Sequence, residues 1–139
     1  MLKEKYNIDY NGYGDVPFED LIGETLTKID LSSRDDVGDD IIFTTSNGRK
    51  LKMYHSQDCC EDVSVESIVG VLDDLLNTPI LLAEEATSDK NPKGYVPDEF
   101  QDSFTWTFYK LATIKGYVDI RWLGKSNGYY SERVDFVEI

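Results

Sequence analysis

The chain is 139 residues long, 40% hydrophobic and 12% aromatic, with two cysteines, one histidine and a formal net charge of −13 at pH 7. This is the length of one domain with apolar content sufficient for a core, which excludes a disordered chain, and no apolar run approaches the roughly 18–20 residues that cross a bilayer. The acidity argues against direct contact with nucleic acid, because neutralising phosphates with Lys and Arg supplies most of that affinity; it suits a partner with a basic surface.

Residues 1–17 are polar and rich in Tyr, Asn and Gly, and read as a flexible arm ahead of a single domain over 18–139. The first residues have neither an apolar core nor a small-residue cleavage site, so no secretory signal is expected and the default compartment is a reducing cytoplasm. Residues 18–23 read as a helical turn stopped by Gly23, and 25–31 as a strand. Residues 34–40 form a charged turn whose acids, Asp35, Asp36, Asp39 and Asp40, lack calcium-loop spacing. Residues 41–45 and 50–56 read as strands joined by a turn, with Asn47-Gly48 predicting type I′ geometry. Apolar residues at 65, 68, 69, 72, 75 and 76 follow helical spacing, predicting a helix over 65–76 that Gly70 weakens and Pro79 ends. Residues 80–86 read as a strand and 88–100 as a loop long enough for a mobile flap. An aromatic hairpin follows over 104–123, then a Gly-rich turn and a last strand over 130–139. The expected fold is α+β: one domain, mostly an antiparallel sheet of about seven strands with one or two short helices.

The last quarter of the chain differs from the rest in charge. Residues 104–139 carry five Lys/Arg and four Asp/Glu, whereas the remainder carries nine and twenty-three. Taking Lys115-Gly116 as a two-residue turn places Lys110 opposite Arg121, on a face that also bears Trp106, Phe108 and Asp119. The other face, with Tyr109, Leu111, Val118, Ile120 and Trp122, is the expected core face. Like charges directly opposite one another need a counter-charge. An anionic ligand clamped by Arg121 and stacked on Trp106 or Phe108 would supply it, and so would the protein's own carboxylates. The turn 124–128, with Asn127 and the adjoining Tyr129 and Tyr130, offers backbone N–H groups to an anion, although its spacing is not that of a P-loop.

His55, Cys59 and Cys60 gather the only histidine and both thiols within six residues. Adjacent cysteines close no useful loop, so no disulfide framework is expected. Zinc lacks a second ligand pair, and no metal or cofactor is expected. A Cys nucleophile with His55 as base would need a bend in the chain; small buried cysteines beside a hydrogen-bonded histidine are the plainer reading.

The runs Met-Tyr-His-Ser-Gln-Asp-Cys-Cys-Glu (53–61), Leu-Asp-Asp-Leu-Leu-Asn-Thr-Pro-Ile-Leu-Leu-Ala-Glu-Glu (72–85), Phe-Thr-Trp-Thr-Phe-Tyr-Lys-Leu-Ala-Thr-Ile-Lys-Gly (104–116) and Ser-Asn-Gly-Tyr-Tyr-Ser-Glu (126–132) resemble small proteins of unknown function encoded by tailed phages and prophages. The resemblance implies a phage origin, a place in the host bacterial cytoplasm and an accessory, non-enzymatic role against host antiviral defence. The leading expectation is binding and sequestration of a small anionic, nucleotide-like ligand by a homo-oligomer. The expected ligand-binding residues are Trp106, Phe108, Lys110, Arg121, Asn127, Tyr129, Tyr130, His55 and Cys59. The alternative is an acidic inhibitor of a basic host defence or nucleic-acid-binding protein; a Cys/His-dependent hydrolase is a further one.

Overall fold

In a computed structural model of the protein, which describes residues 14–34, 38–97 and 102–139, these alternating segments form nine strands in two antiparallel sheets. The first sheet has the order β1 (Gly14–Asp15), β9 (Asp135–Glu138), β4 (Lys50–Tyr54), β3 (Gly38–Thr45), β2 (Leu26–Arg34). The second runs β5 (Asp62–Val69), β8 (Gly116–Ser126), β7 (Ser103–Thr113), β6 (Leu82–Ser88). The last strand in chain order therefore lies inside the first sheet, between β1 and β4. One core joins the sheets: Ile41, Phe43, Leu51 and Met53 meet Tyr109, Leu111, Val118, Ile120 and Trp122. The Trp122 indole N–H points at the Met53 sulfur, 3.2 Å away.

Among the described residues the only helical elements are two 3-10 turns, Phe18–Leu21 and Leu72–Leu75, so the α half of the α+β expectation gives way to an almost all-β domain. The helix expected over 65–76 is β5 followed by the second 3-10 turn. Its apparent helical spacing has a specific origin. A bulge between Val65 and Ser67 shifts the alternation by one residue, so Val65 opposes Trp122 and Ile68 opposes Ile120, both on the core side. Inward residues three apart then mimic a helix. The β-branched Val63, Val65, Ile68 and Val69 favour the strand. Gly70 ends it at φ +107°, where an added Cβ would stand 2.3 Å from the Tyr117 carbonyl oxygen.

The expected strands over 25–31, 41–45, 50–56, 80–86 and 130–139 correspond to β2, β3, β4, β6 and β9. The 46–49 turn is present, but only Gly48 has positive φ (+88°), so it is not type I′. Its Gly48 N–H bonds the Thr45 carbonyl at 3.1 Å, and the Thr45 hydroxyl accepts the Arg49 N–H at 3.0 Å. Of the expected arm, Gly14 and Asp15 pair with β9 and Val16 is buried; residues 1–13 lie outside the described residues, as do 35–37 of the charged turn and 98–101 of the loop. No described helix is long and apolar enough to cross a membrane.

The β7–β8 hairpin turns one residue earlier than expected, at Ile114-Lys115, with Thr113 opposite Gly116. The second 3-10 turn pins it there. The Thr113 hydroxyl donates to the Asp74 carbonyl, and the Lys115 ammonium reaches the Leu76 carbonyl at 2.8 Å. Because the pairing moves by two positions, the faces stay as expected and the partners change. Lys110 opposes Asp119, and Arg121 opposes Phe108.

Candidate functional site

The nine expected ligand-binding residues fall in three places. Trp106, Phe108, Lys110 and Arg121 share the outer face of the second sheet, where Ser67, Val69, Ala86, Phe108 and Lys110 border a shallow trough of about 520 Å³. The like-charge pair does not exist: Lys110 sits between Asp119 on β8 and Glu84 on β6. Arg121 forms a two-pronged pair with Glu66, its Nε and Nη2 donating at 2.7 and 2.9 Å. That bond raises the Arg121 pKa and lowers that of Glu66. The guanidinium also lies 5.0 Å from the Trp106 ring. Trp106 is not an open stacking platform. It is fully buried, its indole N–H donates to the Asn91 side chain at 3.0 Å, and Tyr95 meets it edge-on at 4.8 Å. Asn91 and Tyr95 of the expected loop thus supply its cover.

His55 and Cys59 form a second place, and its buried part is structural. His55 lies between the Arg133 carbonyl (2.6 Å from Nδ1) and Glu61 (2.8 Å from Nε2). A carbonyl can only accept, and the Glu61 carboxylate also accepts the backbone N–H groups of Asp58 and Cys59, each at 2.9 Å. Both contacts are satisfied when each ring nitrogen carries a proton. Burial works to raise the Glu61 pKa, but the Cys59 N–H, His55 and the Asp58 N–H outweigh it and hold the carboxyl at about 2. The cysteines are exposed and bonded to each other, contrary to the expectation of buried free thiols. Among the described residues no group of three or more His, Cys, Asp or Glu could hold a metal.

Asn127, Tyr129 and Tyr130 form the third place, the turn after β8. Its amides are already used: Gly128 N–H bonds the Ser126 hydroxyl and Tyr129 N–H bonds the Asn127 side chain, both at 2.9 Å. Tyr129 points outward at 83% exposure. Tyr130 instead lines a cleft of about 630 Å³ on the inner side of the second sheet. Here the core face of β7 passes from Leu111 and Tyr109 to Thr107, Thr105 and Ser103, and that of β6 to Glu85 and Thr87. Phe18, Phe136, Asp15, Glu19, Glu132 and Arg133 complete the walls. The Thr105 and Ser126 hydroxyls donate to Glu132 at 2.8 and 2.5 Å. The outer trough and the inner cleft therefore lie on opposite faces of one sheet.

Sequence reasoning missed Glu66 and Glu61, two carboxylates among many, and Asn91 and Tyr95, whose role depends on a loop's path. The cleft did leave a trace: Ser103-x-Thr105-x-Thr107 puts hydroxyls at successive core-face positions, where a filled core would carry apolar side chains.

Fold and sites together define a two-sheet antiparallel β domain whose described arginines are paired with its own carboxylates. Residues 18–136 match a family described as a domain of unknown function (DUF7448), and the chain belongs to that family. No curated protein and no solved structure matches it.

Proposed function

We propose that this is a non-enzymatic binding protein of phage or prophage origin whose acidic surface engages a basic host protein, in the service of blocking host defence. The observation that supports this reading is the fate of the arginines. All three whose side chains are described pair with the protein's own carboxylates: Arg49 with Glu138 at 2.9 Å and Glu24 at 3.7 Å, Arg121 with Glu66 at 2.7 Å, Arg133 with Asp135 at 3.1 Å and Asp15 at 3.5 Å. The groups best shaped to grip a phosphate are thus engaged, while the chain carries 27 acids against 14 Lys and Arg. A surplus of that sign draws a basic surface by long-range attraction.

Sequestration of a nucleotide-like anion would require Arg121 to exchange Glu66 for the ligand. A hydrolase would require a free thiol, and both cysteines are bonded to each other.

The test is capture of partners from host extract by the immobilised protein at low and at high salt, alongside native mass spectrometry of the protein purified from the host. The expected result is one or a few basic proteins, released as salt screens the contact. Salt-independent capture, or a small anion carried by the wild type and lost in Arg121→Ala, would overturn this reading, and the second result would favour sequestration.

A further inference from the structure

The loop over the His55–Glu61 pair presents a bonded cysteine pair to solvent, with both Cys59 and Cys60 exposed. A disulfide stabilises chiefly by closing a loop in the unfolded chain, and two sequence neighbours close none. Nor does this bond shape the loop, which other contacts hold. Gln57 Nε2 donates to the Cys59 carbonyl at 3.2 Å and to the Glu61 carbonyl at 2.7 Å. The Glu61 carboxylate accepts the Asp58 and Cys59 N–H groups, each at 2.9 Å, and is itself buried against His55 at 2.8 Å. None of these contacts uses a sulfur atom, so opening the disulfide breaks none of them. The cysteines are thus an exposed, bonded pair on a backbone frame that does not depend on the bond.

Exposure decides what such a bond can do. A thiolate from outside can reach it, attack one sulfur, form a mixed disulfide there and release the other cysteine as a thiolate. That thiolate is the next residue in the chain. It can expel the attacker and re-form the original bond. Alternatively, a second external thiolate attacks the mixed disulfide, the two external thiols leave joined as a disulfide, and both cysteines remain as thiols; two electrons have then passed into the protein. Charge selects among attackers. Asp58 adjoins the pair, and the chain carries a net charge of −13. Glu61 and Asp62 follow it, the first paired with His55 and the second opposite Lys125 on β8. An anionic thiol is repelled by this field and a cationic one is drawn in.

We propose that Cys59–Cys60 is a thiol–disulfide exchange site that takes neutral or cationic thiols in preference to anionic ones. The attacking thiol is either free or borne by a protein, and the exchange chemistry is the same for both. The neighbouring thiol makes the site self-clearing: a mixed disulfide with a single thiol is short-lived, and only a second thiol carries the reduction to completion. The frame built by Gln57 and Glu61 lets the pair pass between dithiol and disulfide without unfolding. This site goes beyond surface docking and stands without it.

The test alkylates the full-length protein, purified without reductant and quenched in acid, with iodoacetamide and weighs it intact. No adduct is expected before treatment with dithiothreitol and two after it, with the fold retained. Oxidised glutathione, added once dithiothreitol is removed, should close the bond and leave no lasting adduct. Cys60→Ser, a change at an exposed position, lacks the expelling thiol and should keep its glutathione adduct at least about tenfold longer. At low salt, and compared per thiolate, cysteamine should open the wild-type bond about tenfold faster than glutathione, a gap that closes as salt is added. Cys60→Ser made in a bacterial cytoplasm and quenched in acid retains the thiol it has met. A small added mass identifies a free thiol and a gel-shifted adduct a protein-borne one; either supports the site. Wild-type thiols that oxidised glutathione cannot close, a bond opened only after denaturation, an adduct equally long-lived in both proteins, or equal rates for cysteamine and glutathione at low salt would overturn it. The wild type clears its own adducts, so its capture of partners reports on surface docking alone, and the two readings fail separately.

Discussion

Two polar regions meet at Arg133 and are built on opposite terms. On one side its carbonyl accepts from His55, and every atom of the His55–Glu61 pair has a partner: two backbone N–H groups, a ring N–H and the carbonyl itself. On the other side its side chain stands in the wall of the inner cleft, beside Glu19, Glu85 and Glu132, which have no Lys or Arg within ion-pair distance among the described residues. The first region holds the residues that look most chemical in the sequence, the lone histidine and two cysteines, yet its buried bonds are complete within the chain and serve structure. The second holds common threonines and glutamates, yet it is the one left incomplete. Satisfied bonding, more than residue type, separates a brace from a binding site.

The contrast can be broken in three ways. The largest effect is expected from His55→Ala. Removing one partner of a buried, hydrogen-bonded ion pair leaves Glu61 uncompensated, so urea denaturation should show a loss of about 3–5 kcal/mol. A loss under about 1 kcal/mol would mean the pair is no brace. Next comes acid. Glu61 is held at about 2, below its ordinary 4.5, so its contribution is fully present above about pH 4.5 and drains away as pH falls toward 2. Stability measured down that range should decline by an amount on the order of 2 kcal/mol more in the wild type than in Glu61→Gln, relative to each protein's value at neutral pH. Parallel profiles would remove Glu61 from the account. The smallest effect has the opposite sign. Tyr109→Phe deletes an unpaired buried hydroxyl and should raise the stability of the unliganded protein by about 1 kcal/mol, read from its denaturation midpoint. A destabilised Tyr109→Phe would show that the hydroxyl is satisfied, with Glu85 as the carboxylate that acts on it.

Much of the fold was legible because strand signals are local. The core face of the hairpin, the strands β2, β3, β4, β6 and β9, and the loop residues 89–97 follow from alternation and turn residues. What failed depended on distant partners. The bulge in β5 turned a strand into an apparent helix, and only pairing with β8 reveals it. The hairpin slid by one turn position because Thr113 is fastened to Asp74, a residue 39 places away. That slide dissolved the Lys110–Arg121 clash on which the anion site rested. Of the expected site residues, only Tyr130 lines the cleft; Trp106, Phe108, Lys110 and Arg121 lie on the opposite face, and His55 with Cys59 forms the brace. The cleft's own residues were visible as Ser103-x-Thr105-x-Thr107, a pattern that reads as ordinary strand until the facing sheet is seen to stand away from it.

The placement of β9 between β1 and β4 has a kinetic consequence. A nascent chain can form the β2–β3–β4 meander and the β7–β8 hairpin from neighbouring residues, but the outward edge of β4 has no partner until β9 has been synthesised. The first sheet then closes by joining segments more than eighty residues apart (Leu51 to Glu138, for example). Loop closure over such separations makes folding slow, and it leaves an unpaired, apolar-flanked strand edge exposed in the meantime. For a protein made in quantity this is the interval of greatest exposure to aggregation, and it ends only when the last strand slots in.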